Sequence, residues 1–84
     1  MDCYVYILRS LSSGRYYIGQ TSDLSDRLSR HNAGTEPATA PYIPWEMVWH
    51  NSKPSRKEAM ELERKLKNLS RARLEAFIKK YGGG

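Results

Sequence analysis

Residues 3–9 read Cys3-Tyr4-Val5-Tyr6-Ile7-Leu8-Arg9. β-Branched and aromatic side chains dominate this run, as they do in strands. Alternation puts Tyr4, Tyr6 and Leu8 on one face and Val5 and Ile7 on the other. Both faces are apolar, so the run is expected to be a central strand covered on both sides. Ser10-Leu11-Ser12-Ser13-Gly14 follows as a turn, with Gly14 able to take positive φ. Residues 15–20 return as a second strand, and the pair forms a hairpin.

Outward from the hairpin the elements alternate. Thr21 or Ser22 is placed to cap a helix that begins near Asp23, and Gly34 is placed to stop it. Asp23 and Asp26 suit the positive end of its dipole, and Leu24 and Leu28 mark its core side. Residues 34–44 hold three prolines and are read as a loop, because proline excludes both a helix interior and a central strand. Residues 45–50 give a third strand. Ser55 and Glu58 form a capping box for a helix running to about Asn68. Ser70 caps a last helix, on which Leu74, Phe77, Ile78 and Tyr81 have i, i+3, i+4, i+7 spacing. The order β-β-α-β-α-α predicts an α+β domain, a mostly antiparallel three-stranded sheet flanked by three helices. Residues 1–81 are expected to form one domain and 82–84 a flexible tail.

Length and composition agree with that reading. The chain has 84 residues, with 39% hydrophobic and 11% aromatic side chains, a globular rather than a disordered balance. A domain this size has a thin core and little room for a large organic cofactor. Cys3 is the one cysteine, which excludes an internal disulfide and a cysteine-rich zinc site. With no signal peptide and no apolar run long enough to cross a bilayer, a cytoplasmic location without membrane contact is expected. The net charge is +5 and it is uneven. Residues 51–84 carry ten Lys and Arg against four Glu, while residues 1–50 carry four Arg against five acids. A positive field concentrated in one third of a small domain suits a polyanion, although a solvated basic helix face has the same signature.

Three local features carry chemistry. On a helical wheel with Ala59 at the origin, Leu62 falls at about −60°, Leu66 at about −20° and Glu63 at about +40°. Glu63 therefore borders the apolar stripe, whereas Glu58 and Glu61 point away. An acid so placed is ion-paired, protonated or bound to a hard cation. On the first helix, Arg27 and His31 are i, i+4 neighbours beside Leu24 and Leu28, either as structural partners or as a functional pair. Tyr4, Tyr6, Tyr16 and Tyr17 lie on paired strands, as cross-strand packing or with hydroxyls in one shared cleft. A cation, a guanidinium and a base are together what phosphodiester hydrolysis requires.

The same residues form an ordered pattern: Tyr4-Val5-Tyr6, then Tyr17-Ile18-Gly19, then Arg27 and His31, then Glu63. The pattern resembles the GIY-YIG nuclease family over nearly the whole chain, and most closely its small single-domain bacterial members. The opening Y-V-Y-I-L-R and the later E-A-M-E-L-E-R-K-L-K-N-L-S-R both look like that group. The resemblance implies a hydrolase, an endonuclease that cleaves DNA with Mg²⁺ or Mn²⁺ and leaves 5′-phosphate and 3′-hydroxyl ends. It implies that Tyr6, Tyr17, Arg27, His31 and Glu63 are catalytic and that Glu63 holds the metal. Arg27 would neutralise developing charge, with Tyr17 as general base and Tyr6 or His31 assisting or substituting. A free phenol is ionised in only about one molecule in a thousand at pH 7, so Tyr17 needs help that His31 does not.

Gly19 is expected to let backbone and substrate approach closely. Lys65, Lys67 and Arg71 are expected on phosphates, and Tyr42 on unpaired bases. The substrate would be branched, single-stranded or damaged DNA, which suggests a role in DNA repair. The pattern departs from its relatives in four places, the first being the triplet Tyr4-Val5-Tyr6, a form that many relatives tolerate. Gln20 stands where some have lysine, residues 39–44 lack positive charge, and no asparagine clearly follows the glutamate helix. The competing expectations are a catalytically silent nucleic-acid-binding module and a partner-dependent nuclease subunit. A bare domain has little surface for choosing a substrate, so a protein partner or a homo-oligomer would supply it.

Overall fold

A computed structural model describes residues 2–82. Strand β1 spans Cys3–Ser10, β2 Tyr16–Thr21 and β3 Trp45–Lys53; helix α1 spans Leu24–Asn32, α2 Arg56–Lys67 and α3 Arg71–Tyr81. The sheet order is β2-β1-β3, and both pairings are antiparallel. The apolar run that opens the chain is thus the central strand. Tyr6 sits opposite Gly19 on one side and His50 on the other, and a register shift falls between Ile7 and Leu8.

The alternation of β1 builds two cores. Val5 and Ile7 pack with Trp49, Ala59, Leu66 and Leu74, under α2 and α3. Tyr6 and Leu8 pack with Trp45, and Tyr17, Leu24, Leu28, Tyr42 and Met47 close around them on the α1 side. Val5, Tyr6, Ile7 and Leu8 are all fully buried. Each such side chain contributes about 1.5–3 kcal/mol by leaving water, which lets so short a chain hold two covered faces.

Several expectations change in detail. The cap of α1 is neither Thr21 nor Ser22 but Asp23, whose carboxylate accepts the Asp26 N–H at 3.0 Å. Thr21 serves one step earlier, its Oγ1 accepting the Asp23 N–H at 3.1 Å. Gly34 follows the helix with φ 78°, in the left-handed region expected of a stop. β3 runs on to Lys53, because Asn51, Ser52 and Lys53 pair with Val5, Tyr4 and Cys3 through backbone, whatever their side chains. Inside the proline-rich loop, Ala40–Tyr42 close one 3₁₀ turn. Gly82, grouped with the tail on sequence grounds, is half-buried, and its N–H bonds Ile78 O at 2.7 Å. Residues 83 and 84 lie outside the described residues. No described helix is long and apolar enough to cross a membrane.

The cap assignment is directly testable. Asp23→Ala is expected to cost about 1 kcal/mol of unfolding free energy, and Ser22→Ala almost nothing, in urea titrations of the two variants. Equal losses would refute Asp23 as the cap.

Candidate active site

The site is built where the β1–β2 pair meets α1. Alternation on β2 sends Tyr17 and Gly19 to the α1 side and Tyr16 and Ile18 to the other. The four tyrosines therefore do not share a cleft. Tyr16 lies under α3, donating to Glu75 Oε2 at 3.2 Å, and Tyr4 joins neither buried cluster. Tyr6 and Tyr17 do meet, with ring centroids 6.3 Å apart. His31, on the last turn of α1, closes the group. Its ring centroid is 4.8 Å from that of Tyr17, and its Nε2 is 3.0 Å from the Tyr6 hydroxyl.

Gly19 makes this possible. A Cβ at that position would stand 2.7 Å from Tyr6 Oη and 3.1 Å from the Tyr17 ring. The backbone at Gly19 is approached by Tyr6, so the missing side chain serves an internal contact.

Burial sets the electrostatics. Tyr6 is fully enclosed, and His31 is 1% exposed. Desolvation, aided by the nearby Tyr17, pushes the Tyr6 phenol up to about 12, although the Arg27 guanidinium beside it pulls the other way. Desolvation also lowers the His31 pKa below its ordinary 6.5, with Arg27 adding to the effect and the Glu36 carboxylate opposing it. Both groups are held neutral near pH 7. Tyr17 is only half-buried and is the phenol of this cluster that meets solvent. Arg27 has a buried Nε with no hydrogen-bond partner among the described residues, an unusual state for so strong a donor.

Glu63 approaches from α2, across the edge strand β2. Its charge is felt by the Tyr6 phenol. Its side chain is 19% exposed and pairs with Lys67, one turn on, at 3.1 Å. Glu63 and Lys67 line a hollow of about 360 Å³ with Gln20, Met60, Arg64 and Asn68. Gln20 Oε1 is buried with no partner among the described residues. Among those residues no group of three or more His, Cys, Asp or Glu could hold a metal ion. One carboxylate and one neutral oxygen beside a hollow nevertheless fit a cation such as Mg²⁺, which keeps most of its own water.

The remaining expected substrate contacts separate. Lys65 is exposed on α2. Lys67 is held by Glu63. Arg71 is engaged elsewhere: it donates to Gly14 O at 3.0 Å, lies over the Tyr16 ring and pairs with Glu75 at 3.5 Å. It clamps the hairpin turn to α3 instead of reaching the Tyr6–His31 cluster. Tyr42 packs edge-on against Trp45, with the Arg15 guanidinium 4.4 Å over its ring. It is separated from Tyr17 by Trp45, so it is a packing residue as placed. Two residues of the site carry no sequence signal. Thr39 Oγ1 lies 2.8 Å from His31 Nδ1. Asn32 brackets Trp45, donating to its carbonyl at 3.0 Å and accepting its N–H at 2.6 Å, which ties α1 to β3.

Comparison with known proteins bears on the family and the fold. The model of the GIY-YIG catalytic domain matches residues 2–80. The UPF0213 protein BH0048 of Halalkalibacterium halodurans is 36% identical over 84 residues, spanning 99% of this chain and 88% of that protein. A UPF0213 protein of Halobacterium salinarum is 39% identical over 76 residues, 89% of this chain and 97% of that one. The solution NMR structure of BH0048, from Bacillus halodurans, superposes with a TM-score of 0.65 over 99% of this chain and 88% of that one. The chain belongs to the GIY-YIG family, a family of nucleases.

Two expectations follow from the geometry. Gly19→Ala is expected to cost about 1–3 kcal/mol by overpacking against the Tyr6 hydroxyl. Adding Tyr6→Phe, which removes that oxygen, should recover part of the loss in a double-mutant cycle read by denaturant unfolding; strict additivity would discount the contact. The pH dependence has two arms. Because its folded pKa is raised, Tyr6 contributes stability in full below pH ~10 and loses it as pH rises from about 10 to about 12. Because its folded pKa is lowered, His31 contributes in full above pH ~6.5 and loses it as pH falls through the lowered value. Tyr6→Phe should therefore flatten the alkaline arm of a stability-against-pH curve, and an unchanged alkaline slope counts against the buried neutral phenol.

Proposed function

We propose that the chain is a divalent-metal-dependent endonuclease that hydrolyses DNA phosphodiester bonds. The observation that carries this reading is the convergence on one phenol. Tyr17, His31 and Arg27 surround Tyr6, and Glu63 stands on α2 at a hollow shared with Gln20, the residue after Gly19 on β2.

Each side chain has a task that its surroundings allow. Glu63, with Gln20 Oε1 beside it, would hold Mg²⁺ or Mn²⁺. A divalent cation bound there supplies charge stabilisation to the phosphate. Arg27 is half-buried with its Nε sealed, so the remaining N–H groups of its guanidinium would meet a non-bridging phosphate oxygen, for which a guanidinium is well matched. Tyr17 is assigned as the general base, because it meets solvent while Tyr6 and His31 are sealed from it. Tyr6 and His31 orient the site from behind. Exposed Lys57, Lys65, Arg73, Lys79 and Lys80 add a positive surface for the backbone of the polyanion.

The test is a nicking assay on supercoiled, single-stranded and branched DNA with Mg²⁺, Mn²⁺ or chelator. Wild type is expected to cleave only with metal. Glu63→Gln, Arg27→Ala and Tyr17→Phe should each slow cleavage about a hundredfold or more while keeping the circular dichroism of the fold. Wild-type rates in Glu63→Gln would overturn the assignment. DNA binding that persists in chelator, with no cleavage under any metal, would establish the binding module instead.

A further inference from the structure

Behind the site runs a hydrogen-bonded row of side chains that ends on the main chain. Arg27 lies beside the Tyr6 phenol. Tyr6 Oη is 3.0 Å from His31 Nε2, and His31 Nδ1 is 2.8 Å from Thr39 Oγ1. Thr39 Oγ1 donates to Glu36 O at 3.4 Å. That last bond is long because the same oxygen also accepts the N–H groups of Thr39 at 3.1 Å and Ala40 at 2.9 Å. Tyr6, His31 and Thr39 are each at most 1% exposed, so bulk water does not serve them.

Distances alone allow the protons to run either way. In one arrangement His31 carries its proton on Nδ1 and accepts at Nε2; in the other it carries it on Nε2 and accepts at Nδ1. The two ends of the row decide between them. A guanidinium has donors only, and a peptide carbonyl accepts only. Arg27 offers no acceptor, so the Tyr6 O–H has one acceptor within reach among the described residues, His31 Nε2. His31 must then donate a hydrogen bond from Nδ1 to Thr39 Oγ1, and the Thr39 hydroxyl donates its own to Glu36 O. The reverse arrangement leaves the Tyr6 O–H enclosed with nothing to receive it, which buried donors avoid.

We propose that Thr39 is a positioning residue. It fixes His31 as the neutral Nδ1–H tautomer, so that Nε2 accepts a hydrogen bond from the Tyr6 hydroxyl and the phenol oxygen stays turned to Arg27. Its use in catalysis rests on the reading of Arg27 as the phosphate ligand. The tautomer does not rest on that reading, and this separates the two in experiment. Thr39 acts through His31 and Tyr6 and touches no reacting atom.

The decisive measurement is the long-range ¹H–¹⁵N spectrum of the imidazoles in the full chain at neutral pH, with His50→Gln used to assign His31. Wild type and Thr39→Ser are expected to show a single Nδ1–H tautomer. Thr39→Val, isosteric without the hydroxyl, is expected to show the Nε2–H form or a mixture. An Nε2–H signature in wild type overturns the proposal without any variant, as does an unchanged tautomer in folded Thr39→Val. In the nicking assay, Thr39→Val should lower kcat about tenfold or more with little change in KM, because a misaimed charged group costs up to about a hundredfold. Thr39→Ser should restore most of that loss. Full kcat in Thr39→Val would remove Thr39 from catalysis. An inactive wild type whose His31 shows the Nδ1–H form would leave the tautomer proposal standing and end the nuclease reading.

Discussion

The site depends on a side chain that is not there. Tyr6 stands on the middle strand of the sheet, opposite Gly19 on the edge strand. For its hydroxyl to meet His31, the phenol must lie over the neighbouring backbone, and any Cβ at position 19 would occupy that path. The glycine thus converts a buried core tyrosine into a bridge between sheet and helix. Around that bridge the rest assembles: His31 beneath, Arg27 beside, and Tyr17 tilted against both rings at the solvent side.

Much of this was legible in the residues. The double apolar alternation of residues 3–9 required a central strand with both faces covered, and β1 is that strand. Apolar spacing located all three helices, and the Ser55 and Ser70 caps fixed the starts of α2 and α3, while the cap of α1 is Asp23 in place of Thr21 or Ser22. Arg27 and His31 fell beside the α1 core stripe, and both reach the Tyr6 phenol. Glu63 was marked by its place beside Leu62 and Leu66, and its side chain is indeed mostly covered. The i, i+4 spacing of Glu63 and Lys67 also contained their ion pair, but a run with this many basic residues gave no reason to single it out.

What sequence did not reveal has a common cause: it depends on contacts between distant segments. Thr39 lies in an aperiodic loop, and only the folding of that loop over α1 brings it to His31. Arg71 looked like one basic residue among several, yet its partners Gly14 and Tyr16 are far off in the chain. Tyr42 was read as a stacking residue, but Arg15 already lies over its ring and Trp45 packs against it at a right angle. Charge counts show that a surface is basic; they do not show which cations are already employed.

That distinction matters most at the Glu63–Lys67 pair. The carboxylate has a built-in monovalent counter-ion 3.1 Å away, so any stronger cation must enter by exchange, not by filling a bare charge. The evicted ammonium cannot diffuse off, since it is tethered one turn along the same helix. Displacement would therefore move a positive charge along α2 and not remove it from that face of the helix.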